Sequence, residues 1–430
     1  MNILKAYING NWQKVGIAKF NSGSIYEQML PNLANYAGSG EIAMWVANLK
    51  RPLGFAIQLT SSGTATIDWG DNSSETITAS AYTTQFSANS LTAQVNHTYG
   101  DGNPSGQGIW IEELSTFVYL VRIYNASSAI KYFKCARVTT QYNDQNNGVI
   151  DAYLNLTTLV DISQMFSNGV AVSKLRCKLL HKVRLVNADN VVYSDYFAYE
   201  CIEFENFNFP AMPLATSRTY ALFQTQLRYD NINNLYVGAG TSSMLQRFTN
   251  GGLMRVYANA SDWGSISNTS YCYSSNFMLN TVQLPLGIGN DKNTNCDYMF
   301  ANCYNIISFS GLEYLGSRTL NCSMNGTFDG LESYTGALVI NAKLTKFTCK
   351  GTSSYLNGVT SIRLLNANSP FSGTSSQVDV SYCNLSASAL NQLFTDLPTL
   401  SGKTIKITGC TGAGTCDQTI ATNKGWIVSN

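Results

Sequence analysis

An aromatic residue returns along the second half of the chain at Phe166, Phe197, Phe223, Phe248, Phe277, Phe300 and Phe328, at intervals of 31, 26, 25, 29, 23 and 28 residues. Spacing of this order marks a repeat built from one small supersecondary unit. Most landmarks lead into a short alternating run, such as Val183-Arg184-Leu185-Val186, Met254-Arg255-Val256-Tyr257 or Ile362-Arg363-Leu364-Leu365. A unit this short cannot bury its own apolar face, so successive units have to stack around a continuous core. The spacing predicts a solenoid with one parallel sheet over residues 150–398 and a C-terminal cap over 399–430. A parallel β-helix is the alternative architecture for the same period. Near the end, Ser386, the apolar spacing through Leu397 and the following Pro398 predict a capped helix.

Side chains alternate sides along a strand, so each run divides into an inward and an outward set. Leu185, Phe204, Val237, Val256, Leu284, Phe309, Ile340, Leu364, Val380 and Ile407 are expected in the core. The residues between them are Arg184, Glu203, Glu205, Tyr236, Arg255, Tyr257, Gln283, Ser308, Arg363, Asp379 and Lys406. Stacking would set this second group in columns on a solvent-facing sheet, where aromatic rings and guanidinium groups suit a glycan or protein ligand.

The first part of the chain reads differently. Lys5–Ile8 and Asn11–Val15 alternate around Asn9-Gly10, the dipeptide of a two-residue hairpin turn. A hairpin is marginal alone, so residues 1–40 are expected to attach or oligomerise, with Tyr7 and Trp12 buried in that contact. Residues 41–125 carry short β-runs broken by Gly and Ser, the pattern of a β-sandwich, and 126–149 form a connector. Gly70-Asp71-Asn72 is a turn. His97 and Tyr99 are read as fixing a strand end against it, rather than forming a cation or catalytic cluster with Asp68 and Asp71.

Composition narrows the function. There are 27 basic and 26 acidic residues, 12% of the chain, against 44 Asn and abundant Ser, Thr and Gly. A near-neutral surface of hydrogen-bonding groups gives no footing for nucleic acid or anionic lipid. No leader with a basic start and no apolar run of membrane-spanning length is visible, so membrane insertion is not expected. The 11 cysteines never stand as Cys-x-x-Cys and read as reduced core residues, with Cys410 and Cys416 the pair to watch. With His97 and His181 alone as imidazoles, neither a metal site nor a cofactor is expected. Glu203 and Glu205 are the one carboxylate pair spaced to share a strand face, as a glycosidase would need. No nucleophile elbow or phosphate loop accompanies them, and the chain is not expected to be an enzyme.

Three resemblances add to this. Ile67-Asp68-Trp69-Gly70-Asp71-Asn72, followed by His97-Thr98-Tyr99, resembles the polycystic-kidney-disease (PKD) type of immunoglobulin-like domain, departing from it at Asn72 and in the Gly100–Gly108 insert. Met299-Phe300-Ala301-Asn302-Cys303 leading to Ile306–Phe309 resembles bacterial surface leucine-rich repeats of the BspA-like type, with Met165–Asn168 and Thr327–Leu331 as weaker copies. The order of parts is similar to fibre-type virion proteins of tailed bacteriophages. That resemblance implies a virion component assembled in the host cytoplasm with other virion proteins. It also implies a homo-oligomer, most simply a trimer, that presents a face for host attachment to a surface glycan or protein. A polysaccharide-cleaving fibre and a bacterial cell-surface adhesin are the alternatives.

Overall fold

A computed structural model describes residues 5–8, 11–14, 30–83, 94–103, 105–136, 144–145, 148–167, 174–175, 177–208, 210, 212–227, 229–231, 243, 246–257, 263–365, 371 and 377–430. The protein is mainly β with few short helices, and its later strands form a β-solenoid of stacked parallel coils. It divides into two compact units, Met1–Pro210 and Ala211–Asn430.

In the first unit, β1 (Lys5–Ile8) and β2 (Asn11–Lys14) pair antiparallel with Tyr7 opposite Trp12. The burial of those two side chains lies outside the described residues. A single hydrogen-bonded path then links most of the remaining strands: β3 (Glu41–Ala47), β4 (Leu53–Leu59), β5 (Gly63–Asp68), β6 (Ser74–Ala81), β7 (Val95–His97), β8 (Ile109–Ile111), β9 (Thr116–Tyr124) and β10 (Ile130–Cys135). β11 (Asp144–Gln145) and β13 (Lys174–Leu175) form a separate pair. The path continues through β12 (Val149–Asn155), β14 (Lys182–Leu185) and β15 (Asn206–Phe207). β4 is buried at every position, Gln58 included, as a largely apolar strand covered on both faces must be. Solvent-facing β6 alternates instead.

β12 is the junction between two kinds of architecture. It pairs antiparallel with β3 on one side and parallel with β14 on the other. The boundary the sequence suggests at 149/150 is therefore spanned by one sheet, and the division between compact units falls at 210/211. Trp69 stacks on Phe55 and on His97, with centroids 5.7 and 4.8 Å apart. The Tyr99 hydroxyl donates to the Trp69 carbonyl at 2.8 Å, and His97 Nε2 meets Asp71 Oδ2 at 2.9 Å. His97 and Tyr99 thus tie their segment to the Gly70–Asn72 turn.

The second unit contains β16 (Tyr229–Asn231), β17 (Arg255–Tyr257), β18 (Thr281–Gln283), β19 (Asn293–Asn295), β20 (Ser308–Ser310), β21 (Asn321–Met324), β22 (Ala337–Ile340), β23 (Leu344–Thr348), β24 (Ser361–Leu364), β25 (Gln377–Asp379), β26 (Lys403–Lys406) and β27 (Trp426–Ser429). All their pairings are parallel. They form three sheets where the sequence suggests one: β16-β17-β18-β20, β22-β24 and β19-β21-β23-β25-β26-β27. A coil contributes strands to two sheets, as β18 and β19 do, because its chain turns back within one repeat.

The turn that allows this has a regular signature. Left-handed residues recur four apart at Tyr196/Glu200, Tyr220/Gln224, Gln246/Asn250, Tyr271/Ser275 and Tyr298/Asn302, and at Gly326/Gly330 glycine takes both places. In the turns at 246–250, 271–275 and 298–302 alternate amides donate to the next coil, as Tyr271, Tyr273 and Ser275 do to Asp297, Met299 and Ala301. Met299–Asn302 is one of these turns. At the turn centres Phe248, Tyr273, Phe300 and Phe328 stack through the core with centroids 6.0, 5.6 and 6.4 Å apart. Tyr273, not the landmark Phe277, occupies the repeat position: Tyr273 is fully buried, whereas Phe277 is 53% exposed.

Of the expected core positions, Leu185, Phe204, Val256, Leu284, Ile340, Leu364, Val380 and Ile407 are buried. Phe309 is half-buried against Phe300 and Tyr334, and Val237 lies outside the described residues. The helix α1 (Ala387–Asp396) forms as its pattern predicts, with Ser386 Oγ accepting from the Ala389 amide. A last turn, α2 (Thr419–Thr422), leads to β27, where the indole of buried Trp426 donates to the Pro398 carbonyl at 2.7 Å. All eleven cysteines are free thiols, Cys410 and Cys416 included.

Candidate binding surface

Parallel strands in register bring equivalent residues of successive coils into columns about 4.8 Å apart. In the β17-β18-β20 sheet, Val256, Val282 and Phe309 form the inward column. Arg255, Thr281 and Ser308 form one outward column, and Tyr257, Gln283 and Ser310 the next. Arg255, Ser308 and Ser310 are exposed, and Tyr257, Thr281 and Gln283 half-buried. Arg255 Nη1 donates to the Tyr257 hydroxyl at 3.1 Å, so the guanidinium and the ring hold each other in place. The six side chains of this face offer hydroxyl, amide and guanidinium groups with no carboxylate among them.

Four sequence-predicted residues, Arg255, Tyr257, Gln283 and Ser308, are therefore brought together. The others are not on this face. Arg184 is exposed on β14 and Glu205 directly precedes β15, both in the first unit. Glu203 lies in the turn before β15, so Glu203 and Glu205 do not share a strand: the strand begins only at Asn206. Arg363 lies on β24, where its Nε and Nη2 donate to Asp396 of α1 at 2.7 and 3.2 Å. Asp379 is buried, and its Oδ1 accepts from the Ser381 amide and hydroxyl at 3.1 and 2.7 Å. Lys406 is half-buried on β26, in the six-stranded sheet with Asp379. Tyr236 lies outside the described residues.

Glu205 has a partner that the sequence pattern did not reveal. Its Oε1 lies 2.7 Å from Nε2 of buried His181, and Asp151 Oδ1 lies 3.5 Å from His181 Nδ1. Burial pushes the imidazole toward neutrality, but hydrogen bonding and the charges of Asp151 and Glu205 outweigh it and raise its pKa above the ordinary value.

Two outer aromatic ladders also escaped the strand-based reading. Tyr271 stacks on Tyr298 at 4.8 Å, and Phe277 on Tyr304 at 5.7 Å. In the following coil a Cβ at Gly326 would fall 2.4 Å from the Tyr298 ring, so glycine is what lets that ring lie flat against the backbone. Their signal was present in the sequence, since Tyr271 and Phe277 recur as Tyr298 and Tyr304 after one shared interval.

Comparisons with family models, with curated proteins and with solved structures find no match to this chain.

Proposed function

We propose that the chain is a structural and binding protein, a fibre-type component of a tailed-bacteriophage virion, and that the outward face of β17-β18-β20 recognises a glycan on the host surface. The observation that carries the binding role is the in-register pair of outward columns around Arg255 and Tyr257. Repeated hydroxyl and amide groups beside one immobilised ring match a chain of sugar hydroxyls, and a ligand that is itself a repeat can follow the column from coil to coil. The virion assignment rests on the order of parts: an N-terminal hairpin for attachment and trimer formation with other virion proteins, a PKD-like sandwich spacer and a leucine-rich-repeat-like array.

Purified polysaccharide from the host surface tests this reading. The full chain should bind it without shortening it, and Arg255→Ala with Tyr257→Ala should weaken binding on the order of tenfold or more, as loss of a central aromatic–arginine pair does elsewhere. Unchanged affinity would remove the face from the account. Shortened chains in the product would favour a polysaccharide-cleaving fibre.

A further inference from the structure

Strand register in the first unit shapes a cleft beside β12 and β14. Parallel pairing sets Asp151 beside Lys182 and Tyr153 beside Arg184, all on one side of β12 and β14. Residues 30–33 run alongside them. They are held by the Trp45 indole donating to the Pro31 carbonyl at 2.9 Å and by Leu30 and Leu33, which are buried against Trp45 in one apolar cluster. Between this segment and the two strands is a cleft of about 260 Å³, smaller than the roughly 300–1,000 Å³ of pockets for drug-sized ligands and suited to a single sugar ring.

Two of its groups bear on what it could hold. Arg184 has no hydrogen-bond or ion-pair partner among the described residues, whereas Arg122 meets Glu41 at 3.4 Å and Arg363 is committed to Asp396. Asp151 Oδ1 is buried, and the charge it carries is shared with His181 Nδ1, 3.5 Å away. One wall thus offers a planar guanidinium fork, which matches a carboxylate through two parallel hydrogen bonds. It also offers a carboxylate, whose two oxygens can accept more hydrogen bonds than the one contact with His181 takes up. Pro31, Leu33 and Tyr153 supply the apolar side.

We infer that this cleft binds one carboxylate-bearing sugar ring, its carboxylate on Arg184 and a ring hydroxyl donating to Asp151. The site is separate from the β17-β18-β20 face and does not depend on the role proposed for it.

Titration calorimetry of the full chain with sodium D-glucuronate, D-glucose and inorganic phosphate tests the inference. Glucuronate should saturate one site per chain, and glucose should not bind. Arg184→Ala should weaken glucuronate on the order of 10- to 100-fold, the size of a lost charge-assisted bidentate contact, and Arg184→Lys should recover only part of it. Arg184 is exposed, and an unchanged circular dichroism spectrum would establish that the variant is folded. Arg318→Ala, at an exposed arginine outside both proposed sites, should leave glucuronate affinity untouched. Equal glucuronate affinity in Arg184→Ala, no saturable binding, or phosphate binding in place of glucuronate would each overturn the inference.

Discussion

Replacing Phe300 and Phe277 by alanine, one at a time, asks whether the coils are stacked as described. Both are phenylalanine landmarks of the sequence repeat, and a reading from sequence treats them as equivalent. In the structure Phe300 is fully buried, between Tyr273 at 5.6 Å and Phe328 at 6.4 Å with Phe309 edge-on at 5.3 Å. Removing it loses the transfer energy of the ring and leaves a cavity, together about 3–5 kcal/mol. Phe277 is 53% exposed and touches one ring, Tyr304. Half a ring's burial and one stacked pair amount to about 1–2 kcal/mol. The gap of about 2–3 kcal/mol corresponds to roughly 1 M in urea midpoint for a slope near 2–3 kcal/mol per M. Tyr273→Ala should resemble Phe300→Ala. Repeat arrays can unfold in stages, so hydrogen exchange of Tyr273 and Phe300 segment amides should accompany the midpoints. Equal costs at Phe277 and Phe300, or a neutral Tyr273→Ala, would refute the register of the coils.

Two further predictions concern buried charge. His181 has a raised pKa in the folded state, so the fold binds an extra proton between its ordinary value of 6.5 and the folded one; that contribution is complete below 6.5 and is lost as pH rises through the folded value. Lys134, whose pKa burial lowers to about 8, acts oppositely above that pH. The readout is therefore the difference between wild type and His181→Gln in urea midpoint, which should shrink as pH rises above 6.5. Asp396→Ala strips Arg363 and the Leu364 amide, 3.0 Å away, of their acceptor and should cost about 2–3 kcal/mol in thermal unfolding, with faster exchange of the Leu364 amide.

The repeat was legible because burying one aromatic per coil imposes a period on the chain, and the inward assignment held in cleanly alternating strands such as Val183–Leu185 and Ser361–Leu364. The exact repeat position was not legible. Tyr273 and Phe277 are both aromatic and four apart, and only the left-handed pair Tyr271/Ser275 decides which one is at the turn centre. Left-handed tyrosine, glutamine and serine carry no sequence mark of the kind that glycine gives at Gly326 and Gly330. The single sheet expected for Asp379 and Lys406 together with Arg255 failed for the same reason: the tight turn inside each coil sends successive runs to different sheets. Asp379 reads as an outward charge by alternation, yet the turn after β25 uses it as an internal acceptor for Ser381. At the candidate site, Arg255, Tyr257 and Gln283 were found by period alone, whereas the His181 contact with Glu205 joins residues 24 apart through strand order, which a single sequence does not disclose.

The most direct test of a glycan-reading solenoid face is a hydrogen-exchange footprint of the full chain with and without host surface polysaccharide. Protection should appear at Arg255–Tyr257, Thr281–Gln283 and Ser308–Ser310 and spread along the columns as the oligosaccharide lengthens. Protection confined to other segments, or none at saturating polysaccharide, would contradict it.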